Sequence, residues 1–309
     1  MRVLVTGASG FIGRNLVSAA PRDWDVTAVW RGAEDFPAFV AGRGLAHVRP
    51  VRVDLAADDP ATIAARVGDV FDAAVCLAAN GDPARSVAEP RMDLAANALS
   101  LVALLERVKI GRVVFVSSGA VYDGLSGHVH PGVAIAPRLP YAISKLAAEH
   151  YLRSFVARGQ VGSAVAVRFF GAFGPHEPER KIYTKLVRAF AIERRNTFTI
   201  RGDGKNLIDA MYVDDAVRGL KLLLGAPAAA GTFETIDFAS GTPTTIADLA
   251  RTAAATFGIE PEIALTGHVP EYIEFRSVDR TMLDRFGFAA EVSLAEGLRR
   301  LAAHLGGPS

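Results

Sequence analysis

Thr6-Gly7-Ala8-Ser9-Gly10-Phe11-Ile12-Gly13 stands between the β-branched run Val3-Leu4-Val5 and a helical pattern from Ile12 to Ala19. Strand, glycine-rich turn and helix in that order are suited to a pyrophosphate. Residues without a Cβ let the backbone approach the anion and let the helix pack on the strand, and the helix N-terminus favours negative charge. Gly7, Gly10 and Gly13 meet that need, with Ser9, Phe11 and Ile12 between them. The stretch predicts a dinucleotide-binding start to a parallel α/β sheet.

Outward from this turn the same alternation continues. Arg2 to Val5, Asp25 to Trp30, Val48 to Leu55, Ala73 to Leu77, Val113 to Ser117 and Ala164 to Phe169 read as strands, with helices such as Ile12 to Ala19 and Arg91 to Val108 between them. Nearly continuous apolar strands separated by helices imply a sheet covered on both faces, a doubly wound Rossmann α/β fold. After Gly171 the pattern changes: Phe173 to Pro178 is loop chemistry, followed by a helix near Lys181 to Arg195, a strand near Phe198 to Arg201 and a Gly202-Asp203-Gly204 turn. Met211 to Leu224 and Thr245 to Phe257 read as helices and Thr232 to Phe238 as a strand. The expected division is 1–170, joined by parts of 210–240, for the dinucleotide, and 171–309 mostly for substrate.

The composition of the 309 residues is that of an ordinary globular chain, 50% hydrophobic and 22% charged, with 34 Lys and Arg against 33 Asp and Glu. A net charge of +1 offers no global attraction to nucleic acid or to an anionic membrane. No uncharged apolar run is long enough to span a bilayer. The lone Cys76 cannot form an internal disulfide, and no signal-peptide pattern precedes the first strand, so a cytoplasmic protein is expected.

The second strand ends at Val29-Trp30-Arg31-Gly32, without the carboxylate that would hold a ribose 2′-hydroxyl. Arg31 is placed to pair with a 2′-phosphate and Trp30 to flank an adenine, which favours NADP over NAD. The alternative is a solvated Arg31, with Arg14 or another base doing that work. Asp54, beside Leu55 at the end of the third strand, is either a partner for the adenine amino group or the cap of the next helix.

Tyr141 and Lys145 lie four apart in a segment that reads as a helix starting at Pro140, so both side chains share a face. They follow a strand ending in Ser117-Ser118-Gly119-Ala120-Val121-Tyr122, which delivers a hydroxyl to the carboxyl edge of the sheet. A tyrosine with a free pKa near 10 needs a downward shift of about three units to ionise readily at neutral pH. Lys145 and the positive charge of an oxidised nicotinamide are expected to supply it in a water-poor cleft, with Ser118 holding the substrate oxygen. The plainer readings are a strand-end cap for Ser118 and a core aromatic for Tyr141.

With these residues in view the chain resembles the extended short-chain dehydrogenase/reductases, in the NAD-dependent epimerase/dehydratase branch that acts on nucleotide sugars. The resemblance is carried by the segment Thr6 to Gly13, by Leu77-Ala78-Ala79, Asn97, Ser117 to Tyr122, Tyr141 with Lys145, Arg168 to Pro175, and Tyr212-Val213-Asp214-Asp215. It implies catalytic roles for Ser118, Tyr141 and Lys145, and for Asn97 the upkeep of their geometry. It also implies cofactor contacts from Leu77, Ala78 and Ala79. The positions expected against substrate are Asn80, Ser118, Gly119, His176, Arg180, Lys181 and Lys185.

Several positions depart from the family's pattern. Family dehydratases carry an acidic pair after the catalytic hydroxyl, because expelling water needs a proton donor; here Gly119 and Ala120 stand there. A related 3,5-epimerising reductase has a cysteine where Ala120 lies. His176, in Gly174-Pro175-His176, is either a proton donor near substrate or a solvated loop residue. Gly171 replaces an Asn, and Ile208 an Arg, that ordinarily engage the diphosphate; Arg180, Lys181 and Lys185 either replace that charge or form a solvated basic face. The leading expectation is 4-keto reduction or 4-epimerisation of a nucleotide-linked sugar. The alternatives are reduction of a small non-nucleotide carbonyl compound and, more distantly, a non-catalytic dinucleotide sensor. No metal is implied.

A homodimer is also expected. Met92, Ala95, Leu99, Val102 and Ala103 recur near helical spacing, and the Tyr141 helix carries Leu146, Ala147, His150 and Tyr151 beside its catalytic face. In the resembling family two such helices meet their twofold mates in a four-helix bundle.

Overall fold

A computed structural model describes residues 1–267 and 273–306. Along the chain β1 (Arg2–Thr6), α1 (Phe11–Ser18), β2 (Asp25–Trp30), α2 (Phe36–Gly42), β3 (Val48–Arg52), α3 (Pro60–Val67) and β4 (Val70–Cys76) alternate. Next come α4 (Pro83–Ala88), α5 (Pro90–Leu94), a π-helical turn at Ala95–Leu99, α6 (Ser100–Leu105) and β5 (Lys109–Ser118). A 3-10 turn at Gly119–Tyr122, β6 (Ser126–Val129), α7 (Pro140–Ala157) and β7 (Val161–Phe169) complete the first half.

The later elements are β8 (Ala172–Phe173), α8 (Ile182–Val187) with a π turn at Arg188–Ile192, β9 (Thr197–Ile200), β10 (Leu207–Ile208), β11 (Met211–Tyr212), α9 (Val213–Gly225) and β12 (Phe233–Phe238). They end with β13 (Thr244–Thr245), α10 (Ile246–Thr256), β14 (Glu262–Leu265), β15 (Glu274–Ser277), α11 (Thr281–Phe286) and α12 (Leu294–His304).

The chain divides into two compact units. The first, Met1–Gly124 with Ala134–Phe169 and Val217–Asp237, holds a seven-stranded sheet in the order β12-β7-β5-β4-β1-β2-β3. Strand order reverses between β1 and β4, which pair in parallel with Val3 opposite Ala73. Chain leaving β1 therefore turns one way and chain leaving β4 the other, opening a crevice at their carboxyl ends. Val3, Leu4, Val113, Val114, Ala164 and Val165 are each fully buried, because helices cover both faces and the strands can be apolar throughout.

Local signals start the helices. Asp59 accepts from the backbone N–H groups of Ala61 and Thr62, both at 3.0 Å, ahead of Pro60 in α3, and Asp82 accepts from Ala84 at 3.1 Å ahead of Pro83 in α4. Asp59 thus does the work that was one option for Asp54. The single long helix expected from Arg91 to Val108 is instead α5 and α6 joined through the π turn, a widened coil that one sequence pattern cannot reveal.

The second unit comprises Leu125–Val133, Phe170–Ala216 and the described residues from Phe238 onward. It is built from short strand pairs, β8 with β11, β9 with β14, β10 with β13 and β6 with β15. β6 joins this unit although it lies inside the segment 1–170, because its pairing partner is β15. Gly297 of α12 packs against Phe173 and Tyr212, where an added Cβ would come within 2.7 Å of the Phe173 ring.

Candidate active site

The first turn after β1 forms as the glycine pattern requires. Gly7 has φ +66°, and a Cβ there would lie 2.7 Å from the backbone nitrogen of Ala78. A Cβ on Gly13 would lie 2.3 Å from the Gly7 carbonyl oxygen, so α1 can approach the turn only with glycine at that position. No side chain caps α1, whose N-terminus follows Gly10 directly. The first-turn N–H groups of Phe11, Ile12 and Gly13 are therefore the orphan donors of a helix start, the arrangement that accepts a phosphate. Thr6, fully buried, accepts from the N–H groups of Leu77 and Ala78 at 3.2 Å and so ties the ends of β1 and β4 together.

Beside this turn lies a cavity of about 250 Å³. Gly7, Ser9 and Gly10 form its floor, Trp30, Arg31, Asp54 and Leu55 one side, and Leu77, Ala78 and Ala79 another. Ala96 and Ser100 also line it; their only sequence signal was proximity to Asn97. The residue set fits the adenosine and pyrophosphate part of a dinucleotide, since it combines a glycine cradle, an uncapped helix start and apolar walls.

Three details bear on the expectations for this end of the site. Trp30 lines the cavity but is only 7% exposed, packed against Phe36 and under the Arg52 guanidinium, so its ring is not an open flank for a base. Arg31 is an exposed side chain 3.4 Å from Asp54, and Asp54 accepts from the N–H of Ala56 at 3.0 Å. Arg14 is engaged by Asp35 at 2.8 Å and by the Ser9 carbonyl at 3.0 Å.

The second cluster sits where β5 ends and α7 begins. Ser118, half-buried, accepts from the N–H of Ala120 at 3.1 Å, and its hydroxyl stands near that of Tyr141. It is thus both the cap of the 3-10 turn and a neighbour of Tyr141. Gly119 is buried in that turn. Lys145 is buried, and its ammonium donates to the Val116 carbonyl at 2.8 Å, 5.1 Å from the centre of the Phe115 ring. Burial pulls Lys145 down to about 8, against the raising influence of Asp93 and Glu149.

Tyr141 itself is shifted upward. Burial is the main cause and the charge of Asp93 adds to it, while the nearby Ser118 hydroxyl works the other way. The chain's own groups therefore do not produce the downward shift expected of Lys145. Cys76, behind this cluster, is buried and pushed up to about 12, which makes it an inert thiol.

Asn97 lies in the π turn, fully buried. It accepts from the Asn80 N–H at 2.7 Å and donates to Asp93 and to Ser144, both at 2.8 Å. Asn80, expected against substrate, turns its amide inward instead, donating to Asp93 at 2.8 Å and to the Asp82 carbonyl at 3.0 Å. A second buried network was also missed. Ser117 donates to Glu149, Arg168 pairs with Glu149 at 2.9 Å and donates to the Tyr122 hydroxyl at 3.1 Å, and Tyr122 donates to Asp237 at 2.7 Å.

In the second unit the ring of His176 meets that of His304 edge to face at 5.1 Å, with His176 at φ +69°. Arg180 and Lys181 lie around the buried Glu177, whose carboxyl is pushed up to about 7 by burial despite their opposing charge and its bonds from Thr184. Lys185 is exposed on α8. Gly171 has φ +139°, a conformation that residues with a side chain rarely adopt. Among the described residues no group of three His, Cys, Asp or Glu is placed to hold a metal ion.

A glycine-cradled crevice at the strand-order reversal, with Ser, Tyr and Lys gathered at the end of the next strands, defines a nucleotide-dependent oxidoreductase of Rossmann type. The profile of the NAD dependent epimerase/dehydratase family matches residues 3–239, and the chain belongs to that family. It is 30% identical over 324 residues to a dTDP-glucose 4,6-dehydratase of Streptomyces niveus, covering 96% of this chain and 90% of that one. It is 27% identical over 319 residues to a UDP-glucose 4-epimerase of Mycolicibacterium smegmatis, covering 97% of each. The fold is similar to that of MoeE5, solved in complex with UDP-glucuronic acid and NAD, with a TM-score of 0.84, 27% identity and 99% of each chain covered.

Proposed function

We propose that the protein is a 4-epimerase of a nucleoside diphosphate sugar that uses NAD, with Tyr141 as the proton carrier. One observation carries the reading: the Ser118 hydroxyl stands near enough to Tyr141 to lower its proton affinity, directly ahead of Gly119 and Ala120, where a dehydratase needs acids. With Gly119 and Ala120 carrying no ionisable side chain, a site with the Tyr141 phenol and the Ser118 hydroxyl suits removal and return of a hydroxyl proton better than expulsion of water. Among similar proteins one is named a UDP-glucose 4-epimerase, MoeE5 is solved with a UDP-sugar and NAD, and the dehydratase relatives are the competing reading.

The cofactor when bound supplies a hydride acceptor and a positive charge near the phenol. Tyr141 takes the proton of the sugar 4-hydroxyl and later returns it to the same oxygen, while inversion at C4 would come from hydride added back to the opposite face of that carbon. Ser118 orients the oxygen and stabilises it as charge develops. Lys145, at about 8, keeps most of its ammonium charge at neutral pH, and Asn97 holds the helix turn on which the cluster rests. The first unit is read as the dinucleotide-binding part, and the second, with His176, Arg180, Lys181 and Lys185, as the part that recognises substrate.

NAD is preferred to NADP in this reading because Asp54 stands 3.4 Å from Arg31, where its carboxylate would repel a 2′-phosphate. The competing argument is Arg31 itself, which pairs readily with phosphate. Titration of the purified protein with both nucleotides separates them: NAD binding more tightly supports the reading, and a preference for NADP that Arg31→Ala removes overturns it. A cytoplasmic location follows from the substrate class and from a lone, buried cysteine.

A homodimer is part of the proposal. Ile143 and Tyr151 on α7, and Leu94 and Leu99 beside the π turn, are large apolar side chains left 43–49% exposed. Among monomeric surfaces such a concentration on neighbouring helices is uncommon, and a twofold mate would cover it.

A further inference from the structure

We infer that Asp93 is a positioning residue of the reaction: its buried carboxylate ties Asn80, Asn97 and Ser144 into one knot and holds a negative charge behind Tyr141 and Lys145. The geometry is specific. Asp93 is fully buried at the end of α5 and accepts from Asn80 Nδ2 and Asn97 Nδ2 at 2.8 Å each and from Ser144 Oγ at 2.6 Å. Asn80 belongs to the loop after β4, three residues beyond the cavity-lining Leu77, Asn97 to the π turn, and Ser144 to α7, between Tyr141 and Lys145. A single carboxylate therefore fixes the rotation of the catalytic helix against both the cofactor-side loop and the widened helix turn. Three donors satisfy the oxygens of this buried carboxylate, which would be costly to bury without partners.

Its charge acts in one direction on both neighbours, raising Tyr141 and raising Lys145. The other charged or titratable groups on the elements packed here are few. Glu149 of α7 and Cys76 of β4 act on Lys145, Arg168 pairs with Glu149, Arg85 and Glu89 pair with each other at the surface at 2.9 Å, Asp82 caps α4, and Arg91 and His150 are exposed. Among the groups that shift Tyr141, Asp93 is the charged one. Removing that charge should then lower both values together, which simple loosening of the helix would not do.

The test is the pH profile of turnover in the NAD-loaded enzyme, with UDP-glucose and UDP-glucuronic acid as probes. Asp93→Asn is expected to move both limbs of the profile down by about one pH unit, the size expected of one nearby charge. Ser144→Ala, which removes a bond and no charge, is expected to lower kcat and leave the limbs in place. Asp93→Glu, which keeps the charge and displaces the carboxylate by a methylene, should lower kcat with unmoved limbs. An unmoved profile in Asp93→Asn, or the same shift in Ser144→Ala, would overturn the proposal. Should Asp93→Asn not fold, an unchanged kcat in Asp93→Glu would do so. The inference rests on Tyr141 as the proton carrier, so Tyr141→Phe is measured alongside. Turnover in that variant fails the underlying reading, whereas an inactive Tyr141→Phe with an unshifted Asp93→Asn fails only the role of Asp93.

Discussion

Tyr141 carries two opposing demands: it must be sheltered from water to act on a sugar hydroxyl, and shelter raises the proton affinity that the reaction needs lowered. Tyr141→Phe is expected to abolish turnover while cofactor affinity, read by fluorescence titration, stays within a few-fold; near-normal rates would remove the phenol from the mechanism. Lys145 gives a second test at this scale. Its folded value, about 8, lies below its free value of 10.5, so between these the unfolded chain binds the extra proton and stability rises with pH. Thermal melts of the cofactor-free protein from pH 8 to 10.5 should show this rise relative to Lys145→Met, and parallel curves would contradict it. The Tyr141 and Lys145 pair was legible in sequence because four residues on a helix share a face. Asp93 was not, since its partners lie 13 residues before it in Asn80 and 51 after it in Ser144.

Elements place these residues through close backbone approach and buried charge. The turn after β1 could be read directly, because the need for glycine is local: at Gly13 a Cβ would meet the Gly7 oxygen at 2.3 Å. Gly13→Ala should therefore sharply weaken dinucleotide binding, and unchanged affinity by titration would show that the turn has slack. The junction of β5, α7 and β7 was harder to read, because Ser117, Glu149 and Arg168 meet only after the sheet has formed. Breaking the buried Glu149–Arg168 pair with Arg168→Met should cost about 3–5 kcal/mol by leaving a carboxylate unpaired. In denaturant unfolding, Glu149→Met combined with Arg168→Met should lose less than the single change; an equal or larger loss would argue against an unpaired charge as the cause. The π turn at Ala95–Leu99 had no sequence signal, because a helical pattern with one residue inserted still reads as a helix.

At the scale of the whole molecule, the alternation of strand and helix was enough to predict a doubly wound sheet, found with seven strands, whereas the membership of β6 in the second unit depends on its pairing with β15 and was hidden. No described helix is long and apolar enough to cross a membrane. The homodimer proposed from the apolar side chains of α7 and the π turn is checked by light scattering at micromolar concentration. A mass of two chains is expected, falling to one in Leu99→Glu combined with Ile143→Glu, and one chain with full activity in the parent would dismiss the interface.

The central claim, reversible hydride removal at C4 of a nucleotide sugar with the proton carried by Tyr141, is tested most directly by following the C4 hydrogen. The protein is incubated with NAD and with UDP-glucose or UDP-glucuronic acid carrying deuterium at C4, and the sugar product is identified by NMR. The C4 epimer is expected, with deuterium retained at C4 and no net accumulation of reduced cofactor. A 4-keto product that has lost water, or deuterium washed out into solvent, would contradict the claim.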